Sequence, residues 1–147
     1  MSLKLSMPLV KEFSLAEIDD KYAQLAGQPV TGEPTMIAVR QAETGGNEAR
    51  NALFSRFQRE YTPDTVKVTQ DISFDAVRRK EVFLTLAACN ITDMNDKPLF
   101  SFRNGHLENE DIFNKAWAQL PPLYADAIHE KVLDVNIMWR AEVGEES

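Results

Sequence analysis

The stretch Tyr124-Ala125-Asp126-Ala127-Ile128-His129-Glu130-Lys131-Val132-Leu133-Asp134-Val135-Asn136-Ile137-Met138-Trp139 decides how the chain is read. Tyr124, Ile128, Val132, Val135 and Trp139 recur at three- and four-residue steps, which stacks them on one face of a helix of about four turns. Pro121-Pro122 opens that helix, because proline has the right φ for a first turn and its missing N–H has no helical partner there. Met138 falls beside Trp139 but off the stripe, which makes it a candidate for contact outside the core. One step upstream, Asn109 precedes Glu110 and Asp111, and acidic side chains favour the positive end of a helix. Phe113, Ala116, Trp117 and Leu120 make the buried stripe of that second helix.

Further outward, Asn104-Gly105 and the polar run Asn90 to Lys97 read as turns, and Pro98-Leu99-Phe100 returns the chain to the body. A helix is expected from about Asp75 to Ala88. Its first half carries Arg78, Arg79, Lys80 and Glu81; its second, Val82 to Cys89, is apolar nearly all round and belongs at the centre of the core. Val66, Val68 and Ile72 alternate with Lys67, Thr69 and Asp71, the pattern of a half-buried strand, which would pair with a strand over Thr35 to Arg40.

Gly45-Gly46 breaks the chain, and Asn47 caps a helix to about Tyr61, with Ala49, Leu53, Phe57 and Tyr61 on one side. Arg50, Arg56 and Arg59 lie mostly off that stripe and are expected at its margin or in solvent, and Pro63 stops the helix. Near the start, Ser14 and Glu17 form a capping box, Phe13 staples to Ile18, and Gly27 closes a helix that has Ile18, Tyr22 and Leu25 on one face. Gln28 to Pro34 is a loop. The sum is mostly α with a minor β element (α+β), about five helices and two short strands in one compact domain. That domain is expected to span 13–140, between a flexible segment 1–12 and a frayed tail 141–147. Met1-Ser2-Leu3 reads as a cloning remnant and Met7 as a candidate native start.

The 147 residues hold 16 Lys plus Arg against 23 Asp plus Glu, a net charge of −7, and 44% of them are apolar. That charge disfavours general nucleic-acid binding, which depends on neutralising phosphates. No apolar run reaches the ~20 residues of a membrane span. One cysteine excludes a disulfide framework and suits a reducing compartment such as the cytoplasm.

Motifs for chemistry are missing, so no catalytic residue, cofactor or metal is expected. His106 and His129 are expected to face solvent, His129 at the rim of the last helix, and neither belongs to a His-Glu-x-x-His pattern. Asp93-Met94-Asn95-Asp96 opens like a calcium loop, but Pro98 and Asn104 stand where an EF-hand needs Gly and Glu. Cys89, in the apolar end of its helix, reads as a buried inert thiol. Arg78-Arg79-Lys80 reads as a solvated turn pairing with Glu81 or Asp75, with docking of an acidic partner as the sharper alternative. Asn90-Ile91-Thr92 matches a glycosylation sequon by chance.

Two segments carry a resemblance. Ile37-Ala38-Val39-Arg40-Gln41-Ala42, followed by Asn47, Arg50 and Leu53-Phe54, is similar to the front part of tail assembly chaperones of long-tailed (siphovirus-type) bacteriophages. The second runs from Arg79 to Trp139 and includes Lys97-Pro98-Leu99-Phe100, which resembles the family's Asp-Gly-Lys-Pro-Leu-Phe region; Asp96 stands here in place of its Gly. The resemblance implies a non-enzymatic protein of the bacterial host cytoplasm that binds the tail tape measure protein while tail tube protein polymerises around it. It implies absence from the mature virion, and in many members a longer frameshifted form. Self-association follows from coating a long filament. Partner contacts are expected where large apolar residues exceed a single helical stripe, Leu53 with Phe54 and Phe57 and Met138 beside Trp139: Phe54 and Met138 first, because each lies off its main stripe, then Phe57 and Trp139, with Arg50 beside them. The alternatives are a head–tail joining or tail-completion protein, then a bacterial adaptor or toxin-neutralising protein, then an enzyme.

Overall fold

The structure, a computed structural model, describes residues 9–28, 32–59 and 66–142, with side chains except at 54–59, 66–74 and 141–142. In chain order the elements are β1 (Val10–Ser14), α1 (Ala16–Ala26), β2 (Met36–Arg40), α2 (Thr44–Arg59), α3 (Val66–Thr85) and β3 (Leu86–Cys89). A hairpin of β4 (Phe102–Arg103) and β5 (His106–Leu107) follows, then α4 (Glu110–Gln119), α5 (Pro122–Val135) and α6 (Ile137–Glu142). The fold is α+β, mostly helical, in one compact domain.

The larger sheet is antiparallel in the order β1-β2-β3. Ile37 and Val39 of β2 point inward and are buried, as β-branched residues on the covered face of a sheet should be. Ile37 pairs with Cys89 and Ala38 with Ala88, but Val39 pairs with Leu86, so Ala87 is an extra residue. Strict alternation would have sent Leu86 to the outer face. The bulge turns it inward beside Val39, where it is fully buried. Val82 of α3, Phe113 of α4, and Ile128 and Val132 of α5 complete the core over that face. Each such side chain contributes roughly 1.5–3 kcal/mol by leaving water.

Several expected elements stand. The strand before Gln41 is β2, Gly27 ends α1 with a left-handed φ of 69°, and the Asn109 side chain accepts from the Ile112 amide at 3.1 Å. Asn104 and Gly105, at φ 53° and 77°, make the turn of the β4–β5 hairpin, which needs two successive positive φ values. Phe113, Ala116 and Leu120 are buried as read.

Others are corrected. Residues 66–72 are not a strand but the first turns of α3; a seven-residue alternation is too short to separate strand from helix. The true partner of β2 is Leu86–Cys89, which had been read as the end of a helix. The N-terminal segment reaches the sheet earlier than expected, because Val10 to Ser14 form an edge strand paired with β2. Being an edge, it buries almost nothing and leaves no apolar pattern to read. Ser14 therefore ends a strand, and Leu15, which is buried, occupies the N-cap of α1 without a side-chain cap. Gly45-Gly46 lies inside α2 rather than before it, so Asn47 is not its cap. The last helix breaks at Asn136 instead of running through Trp139.

Asp19 of α1 ties three elements together. Its carboxylate accepts from the Thr35 amide at 2.8 Å, the Thr35 hydroxyl at 2.7 Å and the Tyr124 hydroxyl at 2.5 Å. Burial pulls its pKa upward, but the bonds from Thr35 and Tyr124 outweigh it and hold the group below its ordinary value. A depressed carboxyl stabilises the fold above its unfolded-state pKa and loses that contribution as pH falls through the lower, folded value. Asp19→Asn should therefore lower the melting temperature at pH 7, and the gap to wild type should narrow toward pH 3 in a circular-dichroism series. A gap independent of pH would show that the charge contributes nothing.

Candidate protein-binding surface

Asn136 creates the surface by interrupting the helix. Its Oδ1 accepts from the Ala42 amide at 2.7 Å, and its Nδ2 donates to the carbonyls of Arg40 at 3.2 Å and Val132 at 3.1 Å. The amide thus satisfies backbone groups at the end of β2 and at the end of α5 together. The chain then re-enters a helix as α6. Ile137 and Met138 come out 69% and 64% exposed, while Trp139 turns inward and is 1% exposed.

A buried polar network fixes Trp139. Its Nε1–H donates to Asn47 Oδ1 at 2.8 Å, and the Arg50 guanidinium carbon lies 5.3 Å from the ring centroid, within cation–π range. Arg50 Nε donates to Glu81 Oε2 at 2.8 Å, and His129 Nε2 donates to Glu81 Oε1 at 2.6 Å. Arg50 also donates to Asn51 Oδ1 at 3.0 Å. The Arg50 and Glu81 side chains are 0% exposed and that of His129 is 9% exposed, so one carboxylate joins α2, α3 and α5 in the core. Thr85 seals α3 below, its hydroxyl donating to the Glu81 carbonyl at 2.7 Å.

Between the start of α2 and α6 lies an open cleft of about 160 Å³, lined by Ala42, Glu43, Asn47, Val135, Ile137 and Met138 among others. Gln41 also lines it, and its amide donates to the Leu9 carbonyl at 2.8 Å, which brings the exposed Leu9 to the same end of the molecule. The result is an apolar step beside a shallow groove with one acid, Glu43, on its wall.

The residues expected to contact a partner separate accordingly. Met138 is at the surface. Arg50 and Trp139 are both core, so the expectation that they meet a partner directly is corrected: burial leaves them no surface to offer, and they support the step from beneath. The reading of Arg50 as marginal or solvated fails for the same reason, since Glu81 supplies the charge that lets a guanidinium be buried. The side chains of Phe54 and Phe57 lie outside the described residues. Ile137, Asn136, Asn47, Glu81 and His129 were not singled out as functional from sequence. Asn136 left one signal, a polar residue inside an otherwise apolar run.

His129 is buried on Glu81, not solvent-facing, whereas His106 is exposed and its Nδ1 lies 3.0 Å from an Arg40 guanidinium nitrogen. Arg40 donates as well to the Gly105 carbonyl, fastening the hairpin to β2. Cys89 is half-buried in a strand rather than a helix, and burial pushes its thiol up to about 11, which keeps it unreactive at neutral pH. Asp93 spends its Oδ1 on the amides of Asn95 at 2.8 Å and Lys97 at 3.0 Å. Arg78 pairs with Asp126 at 2.7 Å and Lys80 with Glu110 at 3.0 Å, across helices rather than with Glu81 or Asp75. Among the described residues no helix is long and apolar enough to cross a membrane, and no cluster of His, Cys, Asp or Glu is placed to hold a metal.

Set against protein-family models, curated proteins and solved structures, the chain matches none of them.

Proposed function

We propose that the protein is a non-catalytic assembly chaperone of the kind found in long-tailed phages, binding helical tape measure protein in the host cytoplasm before tail tube protein encloses it. The observation that carries this reading is the Ile137–Met138 step. Two large apolar side chains stand exposed on a short helix that is anchored from below by Trp139, Asn47 and Arg50. Apolar anchors on a rigid support beside a groove suit an amphipathic helix, which binds by laying one face into such a surface. The two segments that carry the family resemblance also meet here: Asn47 and Arg50 from the first, Glu81, His129 and Trp139 from the second. The net charge of −7 suits a holdase, which must stay soluble while presenting apolar surface.

Co-expression with tape measure segments tests the proposal. Wild type should keep a segment soluble and co-elute with it, and Met138→Asp combined with Ile137→Asp should release it while leaving the melting temperature within about 1 °C, as expected of exposed substitutions. Mass spectrometry of purified particles should find the tube and tape measure proteins and not this chain. Its stable presence in particles, without binding to tape measure protein, would favour a head–tail joining role and end the chaperone reading.

A further inference from the structure

A second cleft, of about 310 Å³, lies between the middle of α3, the end of α4 and the start of α5. Trp117, Leu120 and Pro122 make its apolar wall, and Asp75, Arg78 and Arg79 line the side formed by α3. The three consecutive basic residues Arg78, Arg79 and Lys80 of α3 differ in one respect. Arg78 reaches Asp126 and Lys80 reaches Glu110, whereas Arg79, half-buried, makes no ion pair or hydrogen bond among the described residues. In a chain with 23 acids to 16 bases, a partly desolvated guanidinium left without a carboxylate is out of keeping with the surface around it. Guanidinium loses hydration there and gains nothing back until a planar anion meets its fork of donors.

We propose that this cleft receives an acidic segment of a partner polypeptide, with one carboxylate on Arg79 and the adjoining apolar side chain against Trp117, Leu120 and Pro122. The volume is at the low end of the ~300–1,000 Å³ typical of ligand sites, enough for one large side chain and its neighbours but not a whole helix. In the Arg78–Asp126 pair the side chains are 35% and 69% exposed, so water screens it, it is weak, and its guanidinium can be shared with an incoming carboxylate. Asp75, exposed one helical turn before Arg79 on the same wall, repels a second acid there and so sets the direction in which the segment lies. The cleft shares no lining residue with the groove beside α6, and the inference stands whether or not the chaperone reading does.

The test is fluorescence anisotropy with a panel of short labelled peptides, each holding a single Leu, Phe or Trp flanked by glutamates, and a matched panel with glutamines instead. At low salt at least one acidic peptide should bind wild type, and its glutamine counterpart should bind at least about tenfold more weakly, the loss expected for a charge-assisted contact. Arg79→Ala should lose at least the same factor with an unchanged melting temperature, while Arg103→Ala, an exposed cation on β4, should bind as wild type does. Equal binding of acidic and neutral peptides, no effect of Arg79→Ala, or no binding across the panel would overturn the proposal. Loss of self-association in Arg79→Glu, seen by sedimentation and without any peptide binding, would assign the cleft to a second copy instead and overturn it equally.

Discussion

Glu81→Leu is expected to lower the free energy of unfolding by about 3–5 kcal/mol, the cost of removing one member from a buried ion pair. Glu81 is 0% exposed and is the only carboxylate among the described residues that meets both Arg50 and His129. Leucine fits the volume but takes away the carboxylate that Arg50 Nε meets at 2.8 Å. The urea midpoint should fall with little change in slope, since the surface exposed on unfolding stays the same. The double variant Arg50→Met with Glu81→Leu should recover a large part of the loss, because it also removes the buried guanidinium that Glu81 neutralises. If the double variant is as unstable as the single one, the charges are not the source of the cost, and packing around α2 and α3 is.

Trp139→Ala should cost about 3–5 kcal/mol, in the range of large aromatic truncations in a core. It should also do something Glu81→Leu does not. Trp139 is the buried anchor of α6, and six residues have little helical stability without one. Hydrogen exchange at 137–142 should therefore accelerate well beyond the global change. Trp139→Phe separates the two contributions: it keeps an aromatic face on Arg50 but strands the Asn47 Oδ1 acceptor, for a cost of about 1–3 kcal/mol. Exchange in α6 that follows global stability in both variants would show that the helix needs no such anchor.

Much of the helical architecture was legible because its signals are local. Asn109 before two acids, Gly27 at a left-handed position and Asn104-Gly105 at a hairpin tip each act through their own backbone. The sheet was less legible. β1 is an edge that buries almost nothing, and β3 follows α3 without a break, so neither had a pattern distinct from its surroundings. Only pairing with β2 makes Leu86 to Cys89 a strand, and the bulge at Ala87 hides even the alternation it has.

The proposed binding surface shows the same division. Met138 could be picked out because it lies off the stripe of its helix, but the helical wheel could not tell that Asn136 would break that helix and turn Ile137 outward as well. Arg50, Glu81 and His129 are charged or polar residues, which reading residue by residue assigns to solvent. They become core only as a group, each burial being tolerable because of the other two. Such a network is a property of three distant positions, 50, 81 and 129, and no local window contains it.

The central proposal is that the Ile137–Met138 step holds a helix of the tape measure protein, and isothermal titration of wild type and the Ile137→Asp, Met138→Asp double variant against a helical tape measure segment tests it most directly. Wild type should bind saturably with a negative heat-capacity change from apolar burial, and a variant that unfolds at the wild-type temperature should bind at least about a hundredfold more weakly. Undiminished binding by the folded variant, or none by wild type, would contradict it.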